Sequence, residues 1–297
     1  MLTNQMDSEI KNLLTKRSKE IELHQKNKAY QLKGMESKGK KQIEEIKNIM
    51  HKDLLDTLNK LEKVHIEQSA KTKDMVSKTR SVIEKQSNRE FYPRNLLGPH
   101  FTPNYTRINN MDGSIYWDTS EPAILKPPSI SAVGSGSGLF GTGIETFSFS
   151  IDWYYTLLFK ETSILDFYLY IPFHGYYIVY AMDGLMDSKE ASAKIDLCLT
   201  YFPLALPLVD INDCKNIFSL DSQNIDVNGR IDSWKKASFN DLVSSLYTYF
   251  IMITATFTVY ARGGGSHSEL NFSSGNDNYI GIPLLYVNPN NWSVSLG

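Results

Sequence analysis

Residues 1–90 contain no proline and a single aromatic residue, Tyr30, while the other 34 of the chain's 35 aromatics follow. A long stretch of Lys, Glu, Gln, Leu, Ile and Ser with no helix breaker can stay helical throughout. With almost no large rings, it cannot bury a core of its own. The charges divide at the same place. Residues 1–90 carry 20 Lys+Arg and 14 Asp+Glu, leaving 11 and 19 for the rest, so a net charge of −2 hides a basic opening third and an acidic remainder. Two physically different parts are expected. The fold class is α plus all-β: a long N-terminal helix or coiled coil followed by an antiparallel β-sandwich of jelly-roll type. Residues 1–90 form the stalk and 91–145 a linker with opening strands. Residues 146–297 form the head, with 91–297 as one domain.

Within the helical part, Ile43, Ile46, Met50, Leu54, Leu58 and Leu61 recur at steps of 3, 4, 4, 4 and 3. That stripe predicts a seam against identical copies, with a trimer favoured. Carried on in heptads it meets His65, Gln68, Thr72, Met75, Thr79 and Val82, and becomes half polar. Gly34 and Gly39 each cost a helix roughly 1 kcal/mol relative to alanine and mark a break or a weak point. Unbroken, the segment would reach on the order of 120 Å. Its lysines alternate with acids and lack stacking rings, so nucleic acid is excluded as a partner. His24, His51 and His65 do not share an i, i+4 spacing, and no metal site is expected.

From Phe147 the period changes to two. Phe147–Tyr155, Ala193–Thr200 and Tyr249–Ala261 alternate apolar with more polar residues, and Phe167–Phe173, Tyr176–Met182 and Tyr279–Val287 are rich in aromatic and β-branched residues. Turn-forming clusters separate them, including "MDGLMDSKE", "DVNGR" and "RGGGSHSE". Eight to ten strands are expected, with "RIDSWKKAS" as a polar loop.

The segment "RNLLGPHFTPNYTRINNMDGSIYW" resembles the opening of jelly-roll modules in bacteriophage fibre and tail proteins and in related carbohydrate-binding modules, through Asn95, Leu96, Leu97, Phe101 and Trp117. "ATFTVYARGGGS" is similar to a strand and glycine turn of the same modules. The resemblance implies a virion fibre or appendage protein: a homo-oligomeric stalk whose β head binds a host-surface glycan or a neighbouring virion protein.

No catalytic constellation stands out. The glycine run 134–143 lacks the Gly-Lys-Ser/Thr ending of a phosphate loop, and no spacing selects a pair among Asp152, Asp183, Asp187 and Glu190. A non-enzymatic protein without cofactor or metal is expected. Tyr154, Tyr177, Trp234 and Trp292 are the candidate ligand-binding rings, since flat faces with polar tips suit sugars. Cys198 and Cys214 are expected as reduced thiols. No signal-like apolar segment opens the sequence, and no run is long enough to span a membrane as a helix. The expected location is the virion, assembled in host cytoplasm. Two alternatives share these features: a bacterial stalked adhesion or structural module, and a pore-forming toxin inserting the Thr-rich Tyr249–Tyr260.

Overall fold

The computed structural model describes residues 44–85, 100–110, 115–121, 123–134, 143–159, 163–182, 189–203, 211–243, 248–274, 277–287 and 294–295, with scattered helical positions between 23 and 42. Helix α1 spans Lys52–Ile83. Sixteen strands follow it among the described residues. The first eight are β1 His100–Phe101, β2 Tyr105–Asn109, β3 Ile115–Thr119, β4 Ile130–Val133, β5 Ile144–Phe159, β6 Ser163–His174, β7 Tyr176–Ala181 and β8 Glu190–Pro203. The second eight are β9 Ile211–Gln223, β10 Ile225–Arg230, β11 Ser233–Val243, β12 Thr248–Arg262, β13 His267–Asn271, β14 Tyr279–Ile280, β15 Leu284–Val287 and β16 Val294–Ser295.

One layer is a seven-stranded sheet in the order β3-β2-β5-β12-β8-β9, with β16 beside β5. The other consists of a five-stranded sheet, β1-β15-β6-β11 with β14 beside β6, and a four-stranded sheet, β10-β7-β13-β4. All pairings are antiparallel. The alternation read from the sequence sets the inner faces. Phe149, Ile151, Trp153 and Tyr155 of β5 and Ile253, Ala255 and Phe257 of β12 share one buried core with Leu165, Phe167, Leu169, Ile171 and Phe173 of β6. An antiparallel β-sandwich is therefore what the period-two segments make. Its central strand, β12, pairs along its length with β5 and β8. The Thr-rich alternation proposed for membrane insertion is thus the middle of a packed sheet. No described helix is long and apolar enough to cross a membrane.

The five- and four-stranded sheets meet at an elbow at Gly175, between β6 and β7, whose carbonyl accepts the Ile231 N–H at 2.9 Å. A Cβ at Gly175 would lie 2.4 Å from the Phe272 ring and 2.5 Å from the Asn271 carbonyl, so only glycine lets the strands cross there. The elbow is braced by buried Arg230, which donates to both carboxylate oxygens of Asp232 and, at 3.0 Å, to Asn278 Oδ1. His174 ends β6 as a buried residue 3.6 Å from Asp232 and stacked on Tyr279 at 4.5 Å. It is a packed part of the elbow rather than a turn residue.

Four expectations change. First, there are more strands than eight to ten among the described residues, and the segment RIDSWKKAS, expected as a polar loop, enters strand β11. Strands β9 and β11 are sheet edges, so fewer of their positions need to be apolar. Second, Cys198 and Cys214 face each other across β8 and β9 and form a disulfide. The spacing alone could not show that an antiparallel register places them opposite one another. Reducing it, or replacing both cysteines with serine, is expected to lower stability by about 2 kcal/mol, because the cross-link closes a short loop in a hairpin the unfolded chain partly retains. Urea melts with and without reductant check this; an unchanged midpoint would contradict it.

Third, the described residues do not form one long helix. Gly34 is helical and the chain breaks instead at Met50–His51, where His51 is extended at φ −65°, ψ 149°. Lys47 Nζ then meets Glu62 Oε1 at 2.6 Å across the break, which brings the turn before His51 back toward α1. Helix α1 itself has 32 residues, about 48 Å. Fourth, its second half lies on the outer face of the four-stranded sheet. Val76 and Ile83 pack with Tyr176 and Ile178 in one buried cluster, with Met75 against it. Gly265, at φ +85°, turns the chain into β13 so closely under α1 that a Cβ there would sit 3.4 Å from Ser69 Cα and 3.3 Å from Thr72 Oγ1. The expected seam is divided accordingly. Ile43 and the side chain of Leu61 fall outside the described residues; Leu54 is 56 % exposed, Ile46 39 % and Leu58 8 %, with Met50 half-buried.

Candidate functional site

Strand β6 alternates Leu165, Phe167, Leu169, Ile171 and Phe173 inward with Asp166, Tyr168, Tyr170 and Pro172 outward. Register extends that outer row sideways. On one side β11 sets Ser238 opposite Tyr168, Lys236 opposite Tyr170 and Trp234 opposite Pro172. On the other, β15 sets Tyr286 opposite Tyr168 and Leu284 opposite Tyr170. Facing pairs share a face of the sheet. Trp234, Tyr168, Tyr170 and Tyr286 therefore form one aromatic surface, each ring half-buried and reached by solvent.

Its internal contacts hold the rings in place. Tyr168 and Tyr286 lie 6.0 Å apart at 42°. The exposed Lys236 lays its Nζ 4.6 Å from the Tyr168 centroid and 5.6 Å from that of Tyr170, a cation–π arrangement. Strands lie about 4.8 Å apart and rise about 3.3 Å per residue. The surface from Trp234 to Tyr286 therefore has the footprint of a short oligosaccharide, with phenol hydroxyls, an indole N–H and an ammonium as polar groups.

The four expected ligand rings are distributed differently. Trp234 sits in strand β11 on this surface. Tyr154 is 2 % exposed and belongs to a buried cluster, its ring 5.4 Å from Phe250 and 5.7 Å from Tyr105. Tyr177 is half-buried, tilted against Phe218 at 5.2 Å, and packs on the core. Trp292 lies outside the described residues. The reading from sequence missed Tyr168, Tyr170, Tyr286 and Lys236. The alternation "FYLYIPF" carried the signal for two of them, since the tyrosines occupy every second position between inward-facing apolar residues.

Two other polar clusters serve the fold. In the first, Asp152 on β5 accepts from Thr254 Oγ1 at 2.7 Å, Asn109 Nδ2 at 2.8 Å and Tyr154 Oη at 3.3 Å. Burial raises this carboxyl above the ordinary range, and the donors with the nearby Arg107 charge only partly offset it. Burial likewise pushes the Tyr154 hydroxyl well up.

The second cluster clasps α1 to β13. Glu269, 4 % exposed, accepts from Arg80 Nη2 at 2.8 Å and from the Tyr176 hydroxyl at 3.0 Å, with His267 Nε2 at 3.2 Å. Ser274 Oγ reaches Glu84 at 3.0 Å, and Asn271 Nδ2 reaches the Tyr176 hydroxyl at 3.0 Å. Burial works to raise the Glu269 carboxyl, but the hydrogen bonds and charges of His267 and Arg80 outweigh it and hold it down at about 2. Burial and the neighbouring carboxylate push the Tyr176 hydroxyl above its usual range. His267, expected in a turn, is thus a buried member of β13. These groups hold one another, apart from the buried Arg80 Nε, which has no hydrogen-bond partner among the described residues.

No protein-family model matches the chain, and no curated protein matches it.

Proposed function

We propose that this chain is a non-enzymatic binding subunit of a virion fibre or appendage, whose sandwich recognises surface carbohydrate through the aromatic face of its five-stranded sheet. The observation that carries the reading is Trp234, Tyr168, Tyr170 and Tyr286 sharing one solvent-reached face while the opposite face of the same sheet closes the core. Flat rings on a rigid sheet match the apolar faces of sugar rings with little loss of conformational freedom. The resemblance of the Asn95–Trp117 segment to fibre-associated modules supports the virion setting, as does a disulfide suited to a protein that meets an oxidising exterior.

Assembly into a homo-oligomer, with a trimer favoured, is part of the proposal. Its support is the apolar surface the helical region leaves open, including Ile49 at 85 %, Ile66 at 64 %, Val82 at 58 % and Leu54 at 56 % exposed. Val82 lies in the half of α1 that packs on the head, while Ile49 and Leu54 flank the break at His51.

Screening the full-length chain on a glycan array tests the binding reading, with Trp234→Ala as the paired variant. The expected result is saccharide binding that falls at least about tenfold on losing the indole face, a common effect of removing a stacking anchor. Retained binding in Trp234→Ala with an unchanged melting curve would contradict the site.

A further inference from the structure

Three of the eleven Lys and Arg residues after residue 90 gather at one edge of the sandwich, where β9 and β11 lie side by side: Lys215, Lys235 and Lys236. Each rests near a ring. Lys215 Nζ is 5.0 Å from the Phe239 centroid, Lys235 Nζ 5.9 Å from Phe218, and Lys236 lies over Tyr168 and Tyr170. Lys215 also donates to the Ser238 carbonyl, tying the two edges together. The grouping stands out in a part of the chain with 19 acidic residues to 11 basic. Asp213 lies 3.8 Å from Lys215 Nζ, and Asp166 stands two positions from Tyr168 on the same outer row.

We infer that the ligand of the aromatic face is an acidic saccharide, bearing a carboxylate or sulfate, bound with its ring on Trp234 and its anionic group at Lys236. This rests on the reading of that face as a sugar-binding surface. A neutral sugar gains from the ammonium a hydrogen bond with one charged partner, whereas an anionic one adds the attraction of opposite charges. The tyrosine faces hold Lys236 over the platform, so less side-chain freedom is lost on binding. Lys235 stands opposite inward-facing Ile171, on the other side of β11 from Lys236, so the anionic group is assigned to Lys236. A nucleic acid is the less fitting polyanion: the domain as a whole is acidic and would repel a long phosphate backbone.

The test measures affinities of the full-length chain for matched pairs of saccharides, a uronate oligomer against its methyl ester and sialyllactose against lactose, at two salt concentrations. Acidic members are expected to bind more tightly. Lys236→Gln should lower the ratio of acidic to neutral affinity about tenfold and weaken its salt dependence, with Lys236→Arg keeping most of it. Equal binding of both members of each pair, unmoved by Lys236→Gln, would overturn the acidic preference and leave the sugar-binding reading standing. Absence of binding to any saccharide would overturn that reading as well. Oligonucleotide binding that is tighter and equally dependent on Lys236 would replace the saccharide class. Melting curves of each variant confirm that folding is unchanged.

Discussion

Phe257→Ala is expected to destabilise the sandwich by about 3–5 kcal/mol, the range for emptying a packed aromatic site. The residue is fully buried at the middle of β12, the strand shared by two long pairings. Its ring stacks on Phe149 at 4.4 Å and 7°, and meets Phe272 and Phe173 edge-on at 5.5 and 6.0 Å. These partners come from β5, from the segment after β13 and from β6, so one substitution loosens both layers. The neighbours are themselves rigid strands and rings, which leaves little scope for collapse around the cavity. Urea unfolding followed by fluorescence checks the value. A loss below about 1.5 kcal/mol would mean that the two layers do not meet at this ring.

Glu269→Ala is expected to cost about 3 kcal/mol and to free α1 from the sheet. Breaking a buried ion pair usually costs more, roughly 3–5 kcal/mol. Arg80, however, is 41 % exposed and can return to water, so the lower end applies. The substitution also removes the carboxylate paired with His267 Nε2 and the nearer of the two carboxylates that the Tyr176 hydroxyl reaches. Acid should reproduce part of the effect. The folded Glu269 carboxyl, at about 2, lies below its ordinary value of 4.5. Its contribution is therefore fully present above about pH 4.5 and lost as the pH falls through about 2. A drop of two to three units is worth about 3 kcal/mol. The wild type should lose stability over that window more steeply than Glu269→Ala. Parallel pH profiles for the two proteins would contradict the clasp.

The strands that sequence made legible are those needing two kinds of face. In β5, β8 and β12 an inner apolar row alternates with an outer, more polar one, and period two follows directly. Strands β9 and β11 were harder to see because one edge of each is unpaired and residues such as Lys215, Trp234 and Lys236 sit where a central strand would carry apolar side chains. Trp234 reads from the sequence as a candidate ligand ring in a polar loop, and it lies in a strand. Its partners Tyr168, Tyr170 and Tyr286 are gathered by register between distant strands, which no local pattern encodes.

The helix shows a different failure. Extending the stripe from Leu61 in sevens leads to Gln68, Met75 and Val82, a path that drifts about 20° per heptad around a straight helix. Val82 is 58 % exposed while its neighbour Ile83 is 3 % exposed and Val76 4 %. The buried row follows an ordinary 3.6-residue helix lying on a sheet, so the apparent fading of a coiled-coil seam was the rotation of that seam away from the true contact. Glycines misled in the same way. Gly34 is accommodated in helix, and the chain turns at His51, a residue with no breaking tendency, with the Lys47–Glu62 ion pair spanning the turn.

Native-state hydrogen exchange on the full-length chain tests most directly whether α1 belongs to the β domain. If it does, the amides of residues 72–83 should be protected to an extent comparable with β7 and β13, and that protection should fall in Glu269→Ala while β5 and β12 keep theirs. Exchange of residues 72–83 at the rate of an undocked helix, beside fully protected strands, would contradict a helix folded onto its own head.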